Sequence, residues 1–154
     1  DIMGNRIFVK IRFAEKDWEK IESKIGPPEM DEPHFSGDGS IIGDFSDMRL
    51  SDISSLAQEG IDFIAMHGSG DEFEGCSYVF LDKELYEIQS DESHAIVATI
   101  HEGKDGKPFI DEQVWKSIEK FFEAKANLEK KWSTLSGKNP VKNKKARNSI
   151  NPGM

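Results

Sequence analysis

Apolar side chains recur at every second position over residues 6–13 and at helical spacing over residues 111–132, and a chain that changes period in this way folds as a sheet with helices laid against it. In the first segment Ile7, Val9, Ile11 and Phe13 share one face and Arg6, Lys10 and Arg12 the other, as in a half-buried strand. Ala14, Trp18, Ile21 and Ile25 then line one side of a helix that Gly26-Pro27-Pro28 stops, a glycine at the end and prolines that cannot continue it. Residues 27–39 read as a loop anchored by His34-Phe35, and Ser40 to Phe45 as a strand. Ser51 or Asp52 caps a helix of about two turns through Ile53, Leu56 and Ala57, ending at Gly60. Strands follow at 61–67, 76–81, 85–89 and 94–101, then a turn at 103–108. Asp111 caps a long helix whose inner face is read as Val114, Trp115, Ile118, Phe121, Phe122, Leu128 and Trp132.

This order predicts one α+β domain over residues 3–132, with helices packed on one face of a largely antiparallel sheet and Met3 as the expected start. With 36% hydrophobic residues the chain is polar for a folded protein, so its ten Phe and three Trp must supply the anchors of the core. From Ser133 the apolar period ends and Gly, Pro, Asn, Ser and Lys take over, so residues 133–154 are expected to form a flexible basic tail.

Charge is divided by position. Residues 137–154 hold Lys138, Lys142, Lys144, Lys145 and Arg147 and no acid; removing those five charges from the chain's −9 leaves −14 on residues 1–136. Residues 26–112 carry 21 acids against Arg49, Lys83, Lys104 and Lys107, a net −17. Such a field repels nucleic acid and anionic membrane and attracts cationic surfaces. A single cysteine, Cys76, excludes an intrachain disulfide and suits a reducing cytoplasm. The longest apolar runs, such as Tyr78-Val79-Phe80-Leu81, are far too short for a membrane helix.

Chemistry concentrates in the segment from His67 to Cys76. His67, Asp71, Glu72, Glu74 and Cys76 are groups that can ligate or move protons, and Gly68, Gly70 and Gly75 allow close backbone approach or positive φ. The spacing matches neither GxGxxG nor the P-loop nor the EF-hand, and His34, His67, His94 and His101 show no HExxH pattern. No GxSxG elbow is present either. The residues therefore assign no catalytic group, no metal ligand set and no cofactor.

The stretch Gly60-Ile61-Asp62-Phe63, continuing to His67-Gly68-Ser69-Gly70-Asp71-Glu72-Phe73 with Gly75 just after, resembles a pattern of small uncharacterised bacterial proteins. In that pattern a strand runs into a His-Gly-x-Gly-x-acid-aromatic loop. The resemblance covers about sixteen residues, implies a bacterial accessory protein and carries no activity onto these positions.

Three classes of function fit these observations. The first is an acidic binding protein of the nuclease-inhibitor, immunity-protein or nucleic-acid-mimic kind, presenting carboxylates to a basic protein partner. Its expected contacts are Asp71, Glu72, Phe73 and Glu74, with Asp44, Asp47, Asp82, Glu84, Asp91 and Glu92 around them. The second is a small hydrolase or metal-dependent enzyme centred on His67 and the acidic loop. The third is a structural or oligomeric accessory protein, which an exposed apolar stripe on the 111–132 helix would favour. Within any of them the acidic body should not bind nucleic acid. Retention of the full-length chain on DNA at low salt is expected to be weak, to vanish by about 0.2 M salt, and to be lost when the five tail bases become Gln; salt-resistant retention of that variant would contradict the acidic field.

Overall fold

A computed structural model describes residues 7–27, 34–35, 39–70 and 74–136 of the 154-residue chain. The expectations placed on Asp71, Glu72, Phe73 and residues 137–154 lie outside the described residues, as does the side chain of Asp47.

Strand β1 (Ile7–Ala14) passes through a 3-10 turn at Glu15–Asp17 into helix α1 (Trp18–Ile25), which ends where Gly26 takes φ 90° and donates its N–H to the Glu22 carbonyl at 2.8 Å. β2 (His34–Phe35) is a two-residue edge, followed by β3 (Ser40–Met48) and α2 (Leu50–Gln58). Asp52 caps α2 from its third position, its carboxylate accepting the Arg49 N–H at 2.9 Å, so the helix starts earlier than a cap at Ser51 or Asp52 would give. β4 (Phe63–His67), β5 (Cys76–Leu81) and β6 (Glu84–Gln89) complete the main sheet. Asp82 and Lys83, with φ of 49° and 72°, form the two-residue turn between β5 and β6, the left-handed pair that matches strand twist.

The six strands lie in the order β2-β3-β1-β4-β5-β6, and every described pairing is antiparallel. The α+β class and the antiparallel sheet agree with the sequence pattern. The helices, expected on one face, divide between two. Ile21 of α1 and Ile53 and Leu56 of α2 pack with Ile11, Phe13, Phe63 and Phe80, whereas Phe121, Ala124, Leu128 and Trp132 of α3 (Glu112–Ser136) pack with Ile64, Val79 and Ile88 on the other side. The cause lies in β4 and β5: Phe63-Ile64-Ala65 and Tyr78-Val79-Phe80 are apolar at successive positions, so both faces must be covered.

The strand expected at 94–101 does not form. The Asp91 carboxylate accepts the N–H groups of Ser93 and Ala95, and His94 takes a left-handed φ of 68°, so the chain turns; its backbone meets the end of β6 through the Val97 N–H on the Gln89 carbonyl at 3.0 Å and, just after the strand, an isolated bridge between Ser90 and Ile96. A separate ribbon of β7 (His101–Glu102) and β8 (Pro108–Phe109) follows. Asp111 caps α3 as expected, accepting the Gln113 N–H at 2.9 Å. That helix runs on to Ser136, past the boundary drawn at Trp132.

Arg12 joins α3 to the centre of the sheet. Its guanidinium donates to Glu129 at 2.7 Å and to Ser40 Oγ at 3.2 Å and lies 5.2 Å from the Trp132 ring centre. Burial alone would push the Glu129 carboxyl up, but the Arg12 hydrogen bond and Lys125 together hold it below its ordinary value. The stability this adds is present above the ordinary Glu pKa and is lost as the pH falls through the lowered one. Trp132, 1% exposed, closes the second core. Trp132→Ala is expected to lower unfolding free energy in urea by about 3–5 kcal/mol. Phe8, 57% exposed on β1, should cost less than about 1 kcal/mol as Phe8→Ala; equal losses would contradict this core.

Candidate functional site

β4 and β5 end side by side at His67 and Cys76, and the chain after β6 turns back over this end at Ser90. Hydrogen bonds from the loop and from β5 hold the turn in place. The Ser90 N–H donates to the Gly75 carbonyl at 3.0 Å, and Ser77 Oγ donates to Ser90 Oγ at 2.9 Å in a buried pair. A Cβ at position 75 would strike the Ser90 carbonyl oxygen, so Gly75 serves close approach of two backbone segments; neither it nor Gly68 takes a left-handed φ. Ser69 Oγ donates to Glu92 at 2.8 Å and Gln89 Nε2 to Glu74 at 3.0 Å.

These contacts gather Glu74, Asp91 and Glu92, three of the expected residues, at one end of the sheet. Glu87 joins them from β6, within 3.8 Å of the Cys76 thiol. All four carboxylates are exposed, and no described ion pair includes any of them. Their hydrogen-bond donors are neutral. Asp91 is held below the usual carboxylate range by the Ser93 hydroxyl and the Ala95 N–H, so it stays ionised in mild acid.

The other expected acids lie elsewhere. Asp82 and Glu84 belong to the β5–β6 hairpin at the opposite end, where Lys131 donates to Asp62 at 2.7 Å and to Asp82 at 3.2 Å, and Glu84 accepts the Tyr86 hydroxyl at 3.2 Å. Asp44 sits on β3 opposite Lys10, 3.9 Å from its ammonium. Asp71, Glu72 and Phe73 belong by sequence to the loop between Gly70 and Glu74.

His67, 2% exposed, is part of the core rather than of an open site. Its Nδ1 lies 2.9 Å from the Gly68 carbonyl oxygen, which can only accept, so Nδ1 carries the hydrogen. In the neutral ring Nε2 then accepts the Tyr78 hydroxyl at 2.9 Å. Burial first, and then the neighbouring Cys76 and Glu87, push the Tyr78 hydroxyl well above its ordinary value, so it remains a donor. Burial and Glu87 likewise push the Cys76 thiol up, which suppresses its thiolate. Among the described residues no group of three His, Cys, Asp or Glu side chains can hold a metal ion, and no helix is long and apolar enough to cross a membrane.

No family model matches the chain, and no curated protein or solved structure matches it either.

Glu87 could have been found in the sequence. Period-2 alternation over residues 84–89 puts Glu87 and Gln89 on one face, beside the strand that leaves the acidic loop. The raised thiol has a measurable consequence. Cys76 is expected to react with a small alkylating reagent at pH 8 more slowly than a free cysteine, and Glu87→Gln to speed it by about 2–10-fold, because the anion that disfavours the thiolate is gone; an unchanged rate would dissociate Glu87 from the thiol.

Proposed function

We propose that the protein is an acidic binding protein that presents the β4–β5 end of its sheet to a basic protein partner, in the manner of a nuclease or toxin inhibitor. One observation carries the reading: Glu74, Glu87, Asp91 and Glu92 are exposed without a described counter-ion, while Asp62, Asp82 and Glu129 are matched by lysine or arginine. Carboxylates left unneutralised on a rigid sheet end supply the long-range attraction that speeds encounter with a cationic surface, and they do so without disturbing the core. Asp71 and Glu72 add to the same charge by their position in the chain, and Phe73 between them and Glu74 is the candidate anchor. The same field disfavours nucleic acid and anionic membrane as partners of the body. The enzyme reading draws no support from His67, whose ring nitrogens are both engaged inside the fold, or from Cys76, whose thiol is held protonated.

The test begins with capture from the source cell at low and moderate salt, using the wild type and a variant with Glu74→Gln, Glu87→Gln, Asp91→Asn and Glu92→Gln together. The wild type should retain a basic protein that the variant loses. With that partner in hand, the variant should associate about 10–100-fold more slowly at low salt and show a shallower salt dependence. Recovery of no basic protein, together with a hydrolytic activity that His67→Ala abolishes, would replace this reading with the enzyme one.

A further inference from the structure

β6 is an edge of the main sheet, and the register fixes which of its backbone groups point away from the sheet. Leu81 pairs with Glu84 across the two-residue turn, so Glu84, Tyr86 and Ile88 exchange N–H and C=O bonds with β5, and the groups of Leu85, Glu87 and Gln89 point outward. The Ser90 N–H on the Gly75 carbonyl continues the inward set, and the Gln89 carbonyl, which accepts the Val97 N–H at 3.0 Å, belongs to the outward one. No described hydrogen bond reaches the outward groups of Leu85 and Glu87.

The chain itself begins an addition to this edge and abandons it. Ile96 and Val97 meet the end of β6; then Val97, Ala98 and Thr99 part from it, and a cleft of about 500 Å³ opens between them, Glu87 and Ile118 of α3. A smaller cavity of about 200 Å³ lies at the other end of the strand, between Glu84, Tyr86, Lys120 and Glu123. α3 does not close over the edge: Val114, Trp115 and Phe122, expected on its inner face, are 41%, 49% and 48% exposed. β6 is six residues long and holds no Pro, no Lys and no bulge. Its protection is charge. Glu84 and Glu87, on opposite faces of the strand, are exposed and belong to no described ion pair.

That charge selects what can pair here. A second copy of β6 brings the same two carboxylates and no base, and gains no attraction. Nucleic acid is repelled, and neither it nor a membrane offers N–H and C=O groups at the repeat of about 6.8 Å at which an edge strand presents its own. A polypeptide strand bearing Lys or Arg offers both the ladder and the opposite charge.

We propose that β6 is extended by a seventh strand, an extended segment of the basic partner that pairs with the outward backbone groups of Leu85 and Glu87 and sets Lys or Arg beside Glu87 and Glu84. The inference rests on the basic-partner reading for the charge of that segment and adds how the segment is held: the carboxylates draw it in and the ladder fixes its register.

Amide hydrogen exchange by NMR on the full-length protein, with the blocked peptide Lys-Val-Arg-Val-Lys-Val-Arg as the strand, tests this. At saturating peptide the Leu85 and Glu87 amides are expected to exchange at least about 10-fold more slowly, and an alternating Glu-Val peptide to leave them unchanged. N-methylation of one alternate set of peptide amides should weaken binding at least about 30-fold and of the other set no more than about 3-fold, because only every second N–H faces β6. Leu85→Pro removes an outward donor and spares the ladder to β5, so it should weaken peptide binding at least about 10-fold with circular dichroism preserved. The methylated pair keeps the test decisive if that variant does not fold. Unprotected Leu85 and Glu87 amides at saturation, or equal effects of the two methylated sets, overturn the proposal. Protection without any peptide overturns it too: growth with protein concentration would seat a second copy on the edge, and loss when the five tail bases become Gln would seat the chain's own tail there. In capture from the source cell, Leu85→Pro keeps Glu74, Glu87, Asp91 and Glu92. A basic protein that it retains and the four-carboxylate variant loses upholds the acidic end and overturns strand addition; capture of no basic protein, with the peptide still pairing, overturns the acidic end alone.

Discussion

Burial of both faces of β4 and β5 is the constraint on which the rest of the structure depends. Ile64 and Val79 point to one side while Phe63, Ala65, Tyr78 and Phe80 point to the other, and each side needs its own cover. α1 and α2 arrive early in the chain and take one face. α3 therefore has to return across the other, and the connection that takes it there is the segment after β6. Two cores, joined through the central strand β1, replace the single core that a sheet with one wet face would have.

The path of α3 also decides where charge is neutralised. Its C-terminal half carries Lys131 to Asp62 and Asp82, while Glu129 on the same helix is met by Lys125 one turn away and by Arg12 reaching up from β1. At the loop end of the sheet, Glu74, Asp91 and Glu92 belong to no described ion pair. The N-terminal half of the same helix crosses beyond the sheet's cover and leaves Trp115 and Phe122 about half exposed.

His67 shows how a chemically suggestive residue becomes structural. Its neighbours in sequence are glycines and acids, which suit a reactive loop. β4 places it on the inner face opposite Cys76 and beside Tyr78, where a carbonyl and a hydroxyl occupy the ring. Glu74, by contrast, is exposed on the same segment, on the solvent side of the Gln89 amide that donates to it.

The sequence by itself determined the elements whose apolar period is long and whose ends are marked. β1 and its buried face, the glycine stop of α1 and the Asp111 cap of α3 were all legible, because each is set by local sterics or by hydrogen bonds a few residues apart. The concentration of acid was legible too, since it is a count. Only the tertiary structure decided which face each helix covers, that 94–101 turns instead of pairing, that Trp115 and Phe122 remain outside while Phe121 and Trp132 go in, and which carboxylates keep a counter-ion. Those outcomes depend on where α3 crosses the sheet, and a crossing is fixed by contacts such as Arg12 with Glu129, 117 residues apart, which no local period encodes.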